Sequence, residues 1–354
     1  MKRVIVTGSL GYLGSALTDF LQKSGFNCIG YDTGFFEKCI LYEPPSVTTV
    51  LRDVRDITDK DLAGAYAVVH LAGISNDPVG NLKAENVYDP TRAYSLEIAK
   101  MCKKLGVKFI FASSCSVYGK GGEELFTEES PLYPQTPYSF NKVQIENDLR
   151  ALSDKNFSPI ALRFATVFGL STRIRLDVVV NMFAGMAFTS KKIVLNSDGT
   201  PWRPNVHILD VCEAVRQALG YNWDGGELLI LNVGNESNNF RVIDLAKIVQ
   251  GAVPGCELNF LAKNTDLDKE GLIRTKSHEG TDTRSYKVSF EKTRKTFPGF
   301  RAERSVEAGV HEIVAKFSEL NFNEKDFKNR KFYRLQTLED FFTGGRVTDE
   351  LRWR

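Results

Sequence analysis

Short apolar runs alternate along this chain with helix-length amphipathic segments. Together the two periods predict a doubly wound α/β architecture, a parallel sheet covered by helices on both faces. Arg3–Thr7, Cys28–Tyr31, Thr48–Leu51, Ala67–Leu71, Lys108–Ala112 and Pro159–Phe164 read as strands, and Leu13–Ser24, Asp89–Leu105 and Pro137–Leu152 as helices between them. Thr136-Pro137 suits the start of the last helix: a capping hydroxyl, then a proline whose missing N–H costs nothing at the first position. Beyond Gly169 the order loosens. Leu176–Phe188 reads as a helix, while His207–Leu219 and Leu229–Val233 return to the sheet. Residues 255–304, rich in Lys, Arg and Asp, read as loops and short elements over a site. Phe322–Arg354 is charged and aromatic without a clear period; it covers a site or caps a surface, the second being the plainer reading.

With 354 residues the chain can bury a large core. Lys and Arg number 46 against 44 Asp and Glu, so a net charge of +2 offers no field to recruit nucleic acid or an anionic membrane. No stretch approaches a membrane span, and Val4-Ile5-Val6 is too short for a signal-peptide core. Cys28, Cys39, Cys102, Cys115, Cys212 and Cys256 are scattered with no Cys-x-x-Cys pair. They read as reduced thiols of a cytoplasmic protein, with no disulfide framework and no metal expected.

Gly8, Gly11 and Gly14 stand between a strand and a helix, the setting in which such spacing builds a pyrophosphate seat. One glycine permits the tight turn, one lets backbone approach phosphate oxygens, and one lets helix and strand pack closely. The spacing is Gly-x-x-Gly-x-x-Gly, one residue longer at the first gap than the commonest dinucleotide fingerprint. Asp32 ends the second strand 18 residues past Gly14. A carboxylate there accepts from an adenosine ribose diol and repels a 2′-phosphate, and no arginine follows in Thr33-Gly34-Phe35-Phe36, so NAD is expected rather than NADP. Asp53 either reaches the adenine amino group or is a loop aspartate. Tyr12, Leu13, Val54, Ser113 and Val167 complete the expected cofactor contacts.

Tyr138 and Lys142 are i and i+4 on one helix, so their side chains rise from the same face. A phenol titrates near ~10, too high for a base at neutral pH, and a neighbouring ammonium lowers that value. Ser114 lies at the end of the preceding strand, where hydroxyls point into the ligand crevice of such sheets.

At this point the chain resembles the extended short-chain dehydrogenase/reductases, in particular the nucleotide-sugar epimerase/dehydratase family. The resemblance is carried by Thr7-Gly8-x-x-Gly11-x-x-Gly14, His70-Leu71-Ala72-Gly73, Ser113-Ser114-Cys115-Ser116-Val117-Tyr118-Gly119, Tyr138-x-x-x-Lys142, Leu162–Gly169 and Trp202–Asp210, in that order. It covers essentially residues 1–300. It implies a Rossmann-type NAD-binding domain over 1–169, with 202–250 returning to it, and a smaller substrate-binding domain over 170–201 and 251–320. Residues 321–354 form a tail outside the motifs. By the same resemblance Ser114, Tyr138 and Lys142 are the catalytic triad, Leu71, Ala72 and Gly73 the loop over the cofactor, and Asn86 a supporting polar residue. The implied substrate is a nucleoside-diphosphate sugar, with Arg203 on its phosphates, Arg284 as second choice and Asn181 at the nucleotide end. Ser75, Ser114, Cys115, Ser116 and Thr166 complete the expected substrate contacts. His207 is read as a packed structural histidine. A homodimer through the two long helices is expected on the same ground.

Departures from the family pattern narrow the reaction. Ser114-Cys115-Ser116 stands where members that eliminate water resemble Thr-Asp-Glu, so no general acid for a leaving hydroxyl is evident. Cys115 is one place early for the members that epimerise C3 and C5. Thr166 stands where many 4-epimerases resemble Asn, and Ser75 where some resemble Lys. The leading expectation is an NAD-dependent epimerase acting at C4. The rivals are a net oxidoreductase of a nucleotide-linked sugar and a catalytically dead dinucleotide sensor.

Overall fold

The computed structural model describes residues 1–75, 84–195, 197–260 and 284–354. Its strands are β1 (Arg3–Thr7), β2 (Asn27–Asp32), β3 (Thr49–Leu51), β4 (Ala67–His70), β5 (Lys108–Ser114), β6 (Lys120–Phe126), β7 (Ile160–Phe164), β8 (Thr166–Phe168), β9 (Lys192–Leu195), β10 (Trp202–His207), β11 (Leu229–Val233), β12 (Asn239–Arg241), β13 (Glu257–Phe260) and β14 (Ser285–Val288). The helices are α1 (Tyr12–Lys23), α2 (Asp59–Leu62), α3 (Ala84–Leu105), α4 (Pro137–Leu152), α5 (Val179–Ser190), α6 (Ile208–Gly220), α7 (Val242–Ala252), α8 (Glu291–Thr296), α9 (Val306–Glu319), α10 (Glu324–Phe327) and α11 (Arg334–Thr343).

Among the described residues seven strands pair in the order β11-β7-β5-β4-β1-β2-β3, all parallel. This is the expected doubly wound sheet of Rossmann type. Strand order reverses between β1 and β4, so the crevice at their carboxyl ends is the natural ligand site. Val4, Ile5 and Val6 of β1 and Ala67, Val68 and Val69 of β4 are wholly buried. Burial on both faces is why these strands read as unbroken apolar runs rather than alternating ones.

Thr136 caps α4 as expected. Its hydroxyl accepts from Ser139 N at 3.2 Å, Ser139 Oγ accepts from Thr136 N at 3.0 Å, and Pro137 fills the first position. Three expectations change. Helix α3 begins at Ala84 rather than Asp89 and carries Pro90 inside it. The extra turn is held by tertiary contacts: Val87 and Tyr88 pack against Phe35 and Leu338, and Asn141 Nδ2 donates to the Tyr88 carbonyl at 2.7 Å. Helix α5 begins at Val179, three residues later than its apolar run. Strand β10 stays out of the main sheet and pairs with β8 and β12, so the chain returns to that sheet later, through α6 against α1 and then β11. Of the stretch read as loops over a site, β13, β14 and α8 are ordered elements, and 261–283 lies outside the described residues.

All six cysteines are free and buried. No helix among the described residues is long and apolar enough to cross a membrane.

Candidate active site

Strand β1 runs straight into the glycine turn. Gly8 has φ +75°, and a Cβ there would meet the Ala72 nitrogen at 2.9 Å; a Cβ at Gly14 would sit 2.1 Å from the Gly8 carbonyl oxygen. Turn, helix and the 71–73 loop are thus packed backbone to backbone, a closeness that side chains forbid. Gly11 caps α1 without a side-chain acceptor. The first-turn amides and the positive end of the helix dipole are therefore left to a pyrophosphate. Asp32 closes this ring, accepting from Leu10 N at 2.9 Å and Gly34 N at 2.8 Å. Burial lifts its carboxyl above the usual range, while those two amides work against the rise. Glycine cradle, open helix start and edge carboxylate fit a dinucleotide.

The loop over this seat is tied down from beneath. Leu71 N donates to the Thr7 carbonyl at 3.2 Å, and Ala72 N to Thr7 Oγ1 at 3.3 Å. His70 bridges Thr7 Oγ1 (2.8 Å) and Ser95 Oγ (3.0 Å) through its two ring nitrogens. Burial, with Lys142 adding repulsion, pushes its pKa down to about 3, so the ring is neutral at working pH. Val54 is buried beside this seat, and Leu13 and Val167 pack half-buried where the two largest apolar clusters meet.

Helix α4 presents Tyr138 and Lys142 to the carboxyl end of β5. Lys142 Nζ lies 5.5 Å from the Tyr138 ring centroid and 4.6 Å from that of Phe111, and donates to the Ala112 carbonyl at 2.7 Å. Burial drops the ammonium from 10.5 to about 8, with the Glu146 carboxylate pulling the other way. Ser114 is half-buried at the strand end, its hydroxyl accepting from Ser116 N at 3.2 Å. Ser116 Oγ is buried without a hydrogen-bond partner. A phenol beside a buried cation, with two serine hydroxyls at the strand end, is an arrangement suited to moving a proton at a substrate hydroxyl.

The residues expected on the substrate phosphates also come together. Arg203 on β10 donates to the Arg284 carbonyl just before β14, and to the Trp202 carbonyl at 2.9 Å. Thr166, half-buried, lies opposite Asn205 in the β8–β10 register. Ser75 Oγ accepts from Arg175 Nη1 at 2.7 Å. Asn86 lies half-buried in the first turn of α3.

Other expected contacts are turned inward. Ser113 Oγ donates to Glu146 at 2.5 Å, because strand alternation points it away from Ser114. The Cys115 thiol donates to the Arg163 carbonyl within the main core, and burial pushes its pKa up. Asn181 is fully buried, accepting from Gly169 N and donating to Tyr12 Oη (3.2 Å) and the Arg175 carbonyl (3.0 Å). Tyr12 in turn donates to the Gly169 carbonyl at 2.7 Å, stapling α1 to the segment that follows β8. Asp53 is gripped by the Arg55 guanidinium. Burial raises its carboxyl, but the Arg55 hydrogen bonds outweigh that and hold it below the usual range. His207 is buried and accepts from Leu209 N, capping α6 as a structural histidine.

Sequence reading missed three features. Glu146 is i+4 from Lys142, a spacing that would have revealed it. Arg175 and the 322–354 segment reach the site through tertiary packing and carry no motif.

The sequence model of the NAD dependent epimerase/dehydratase family matches residues 4–234, and the chain belongs to that family. It is an NAD-dependent enzyme of Rossmann fold. It is similar to the UDP-glucose 4-epimerase of Azospirillum brasilense, 27% identical over 255 residues covering 66% of this chain and 72% of that protein. To the UDP-glucose 4-epimerase of Neisseria meningitidis serogroup A it is 28% identical over 286 residues, covering 71% and 83%. Among solved structures, the UDP-glucose 4-epimerase of Thermotoga maritima with UDP-glucose aligns with TM-score 0.71 at 21% identity, covering 90% of this chain and 99% of that one. An NAD-dependent NDP-hexosamine 5,6-dehydratase of tunicamycin biosynthesis aligns with TM-score 0.75 at 20% identity, covering 90% and 98%. At these identities the structural likeness speaks for the fold alone.

Proposed function

We propose that the chain epimerises a nucleoside-diphosphate sugar at C4 through a transient 4-keto sugar. The observation that carries the reading is the Ser114, Tyr138 and Lys142 constellation standing without a further acid–base pair: Cys115 is buried in the core and Ser116 is a serine. A 4-epimerase needs no more than that set, whereas a dehydratase needs an acid for the leaving hydroxyl. The 4-epimerase relatives support the same choice.

Bound NAD supplies the hydride acceptor and donor; the glycine turn, Asp32 and the 71–73 loop would hold it. Tyr138 takes the proton of the sugar 4-hydroxyl, and Ser114 donates a hydrogen bond to the same oxygen. Lys142 stabilises the phenolate by its charge and holds the ribose next to the nicotinamide. After the keto sugar turns over in the pocket and offers the opposite face of C4 to the hydride donor, Tyr138 returns the proton to the carbonyl oxygen. Arg203 and Arg284 anchor the diphosphate, since guanidinium forks match phosphate oxygens. In this reading 1–169 with 202–250 holds the cofactor, and 170–201 with 251–320 the sugar nucleotide. The enzyme is cytoplasmic and pairs through α3 and α4 of two copies.

The test is incubation of purified protein with UDP-, GDP-, CDP- and dTDP-sugars. An inverted product with no net change in NADH is the expected outcome. Stoichiometric oxidation or reduction would replace the epimerase with a net oxidoreductase, and no product across the panel would overturn both.

A further inference from the structure

The segment 322–354 lies beyond the matched family region and carries none of its motifs. Its apolar side chains Leu335, Leu338, Phe341, Phe342, Val347 and Leu351 form one cluster with Phe35, Phe36, Ile74, Val87, Tyr88 and Tyr138. Those partners come from four places around the crevice: the loop after Asp32, the loop after Gly73, the start of α3 and the start of α4. The segment therefore crosses the crevice mouth rather than capping a remote surface.

Both ends of the crossing are pinned. At the near end Leu176 N donates to the Phe332 carbonyl at 2.9 Å, Arg334 N to Asp177 Oδ2 at 3.2 Å, and Arg334 Nη2 to the Arg173 carbonyl at 2.6 Å. Asp177 also holds Arg175, which reaches Ser75. At the far end Trp353 Nε1 donates to the Thr33 carbonyl at 2.6 Å, and Arg352 pairs with Asp56 at 3.0 Å. Arg55, the residue gripping Asp53, donates to the carbonyls of Glu350 (2.7 Å) and Leu351 (3.0 Å). The Trp353 ring lies 5.1 Å from Phe35 and 4.9 Å from Phe341. Thr33 and Phe35 directly follow Asp32, so the far pin sits at the adenosine edge of the seat.

We infer that residues 334–353 form an outer wall of the NAD site that must open before the dinucleotide leaves, with Trp353 and Arg352 as its latch. Slow exchange suits an enzyme that reuses one dinucleotide within each turnover, and hinders one that must swap it every cycle. The inference rests on the epimerase reading for its purpose but on packing alone for its existence.

The experiment loads the full-length protein with NADH and follows the fall in its bound fluorescence on mixing with excess NAD, without any sugar. Trp353→Ala removes one hydrogen bond, two ring–ring contacts and the Arg346 guanidinium stacked on the indole, and should speed release about tenfold. Arg352→Gln, at a partly exposed position, should speed it less and guards against a tryptophan variant that does not fold. Release within roughly twofold of the parent rate in either folded variant overturns the latch. Failure to bind NADH would overturn latch and cofactor seat together. Slow release alongside a barren sugar panel would leave the latch standing and remove the epimerase.

Discussion

Helix α4 carries two buried charges one turn apart, and their surroundings treat them differently. Glu146 meets Arg163 of β7 through two hydrogen bonds, at 2.9 and 2.6 Å, and Arg163 donates a third to the Tyr118 hydroxyl at 2.9 Å. Burial works against the Arg163 charge, but Glu146 and Tyr118 outweigh it and hold the guanidinium protonated. Lys142 has one backbone carbonyl and two aromatic faces, and its proton loosens to about 8. Full pairing makes a strut between sheet and helix. Partial pairing leaves a cation whose field is still available to the phenol beside it.

The contrast breaks most visibly on turnover. Tyr138→Phe and Lys142→Met should each lower kcat by roughly 10³-fold, the scale of a lost proton-transfer group. Lys142→Met should leave the urea midpoint unchanged or raised, because it deletes a charge that burial disfavours. A Lys142→Met enzyme within tenfold of the parent would end the argument for this pair. Arg163→Met does the reverse: it strands the Glu146 carboxylate in the core and should cost about 3–5 kcal/mol of unfolding free energy in urea. Adding Glu146→Gln should restore part of that loss, and a single variant as stable as the parent would show that the strut carries nothing.

The same contrast explains what was legible beforehand. The glycine turn, Asp32 and Tyr138-x-x-x-Lys142 depend on neighbours close in sequence, on the reach of a strand end or on one helical turn, so their spacing is legible once the flanking strands and helices are read with it. Cys115 and Ser113 read as ligands because they sit in the same string as Ser114. The alternation of β5 turns Ser113 away from Ser114 to Glu146, and the turn after the strand sends the Cys115 thiol to the Arg163 carbonyl. Asn181 is illegible for a different reason: its partners Gly169 and Tyr12 come from other elements, and only packing reveals that its amide is already engaged. The 322–354 segment was least legible. Its aromatic and charged residues follow no period, because they match the irregular rim of a crevice rather than the face of a sheet or helix.

The finest test separates the two charges by pH. Lys142 titrates near 8 when folded and near 10.5 otherwise. Below 8 both states carry the proton, and the folded state bears the whole burial penalty. Between 8 and 10.5 the folded chain has shed a proton that the unfolded chain still holds, so the contribution of Lys142 to stability rises with pH across that window. Its contribution to catalysis falls in the same window, because the phenolate loses its neighbouring cation. The expected result is kcat/KM declining above about pH 8, towards tenfold per unit, while the urea midpoint holds or climbs. Lys142→Arg, charged throughout, should move that alkaline limb upward even if its absolute rate is lower. Activity flat to pH 10 would mean that the phenol does not depend on this cation, and activity and stability falling together would mean that the limb reports unfolding.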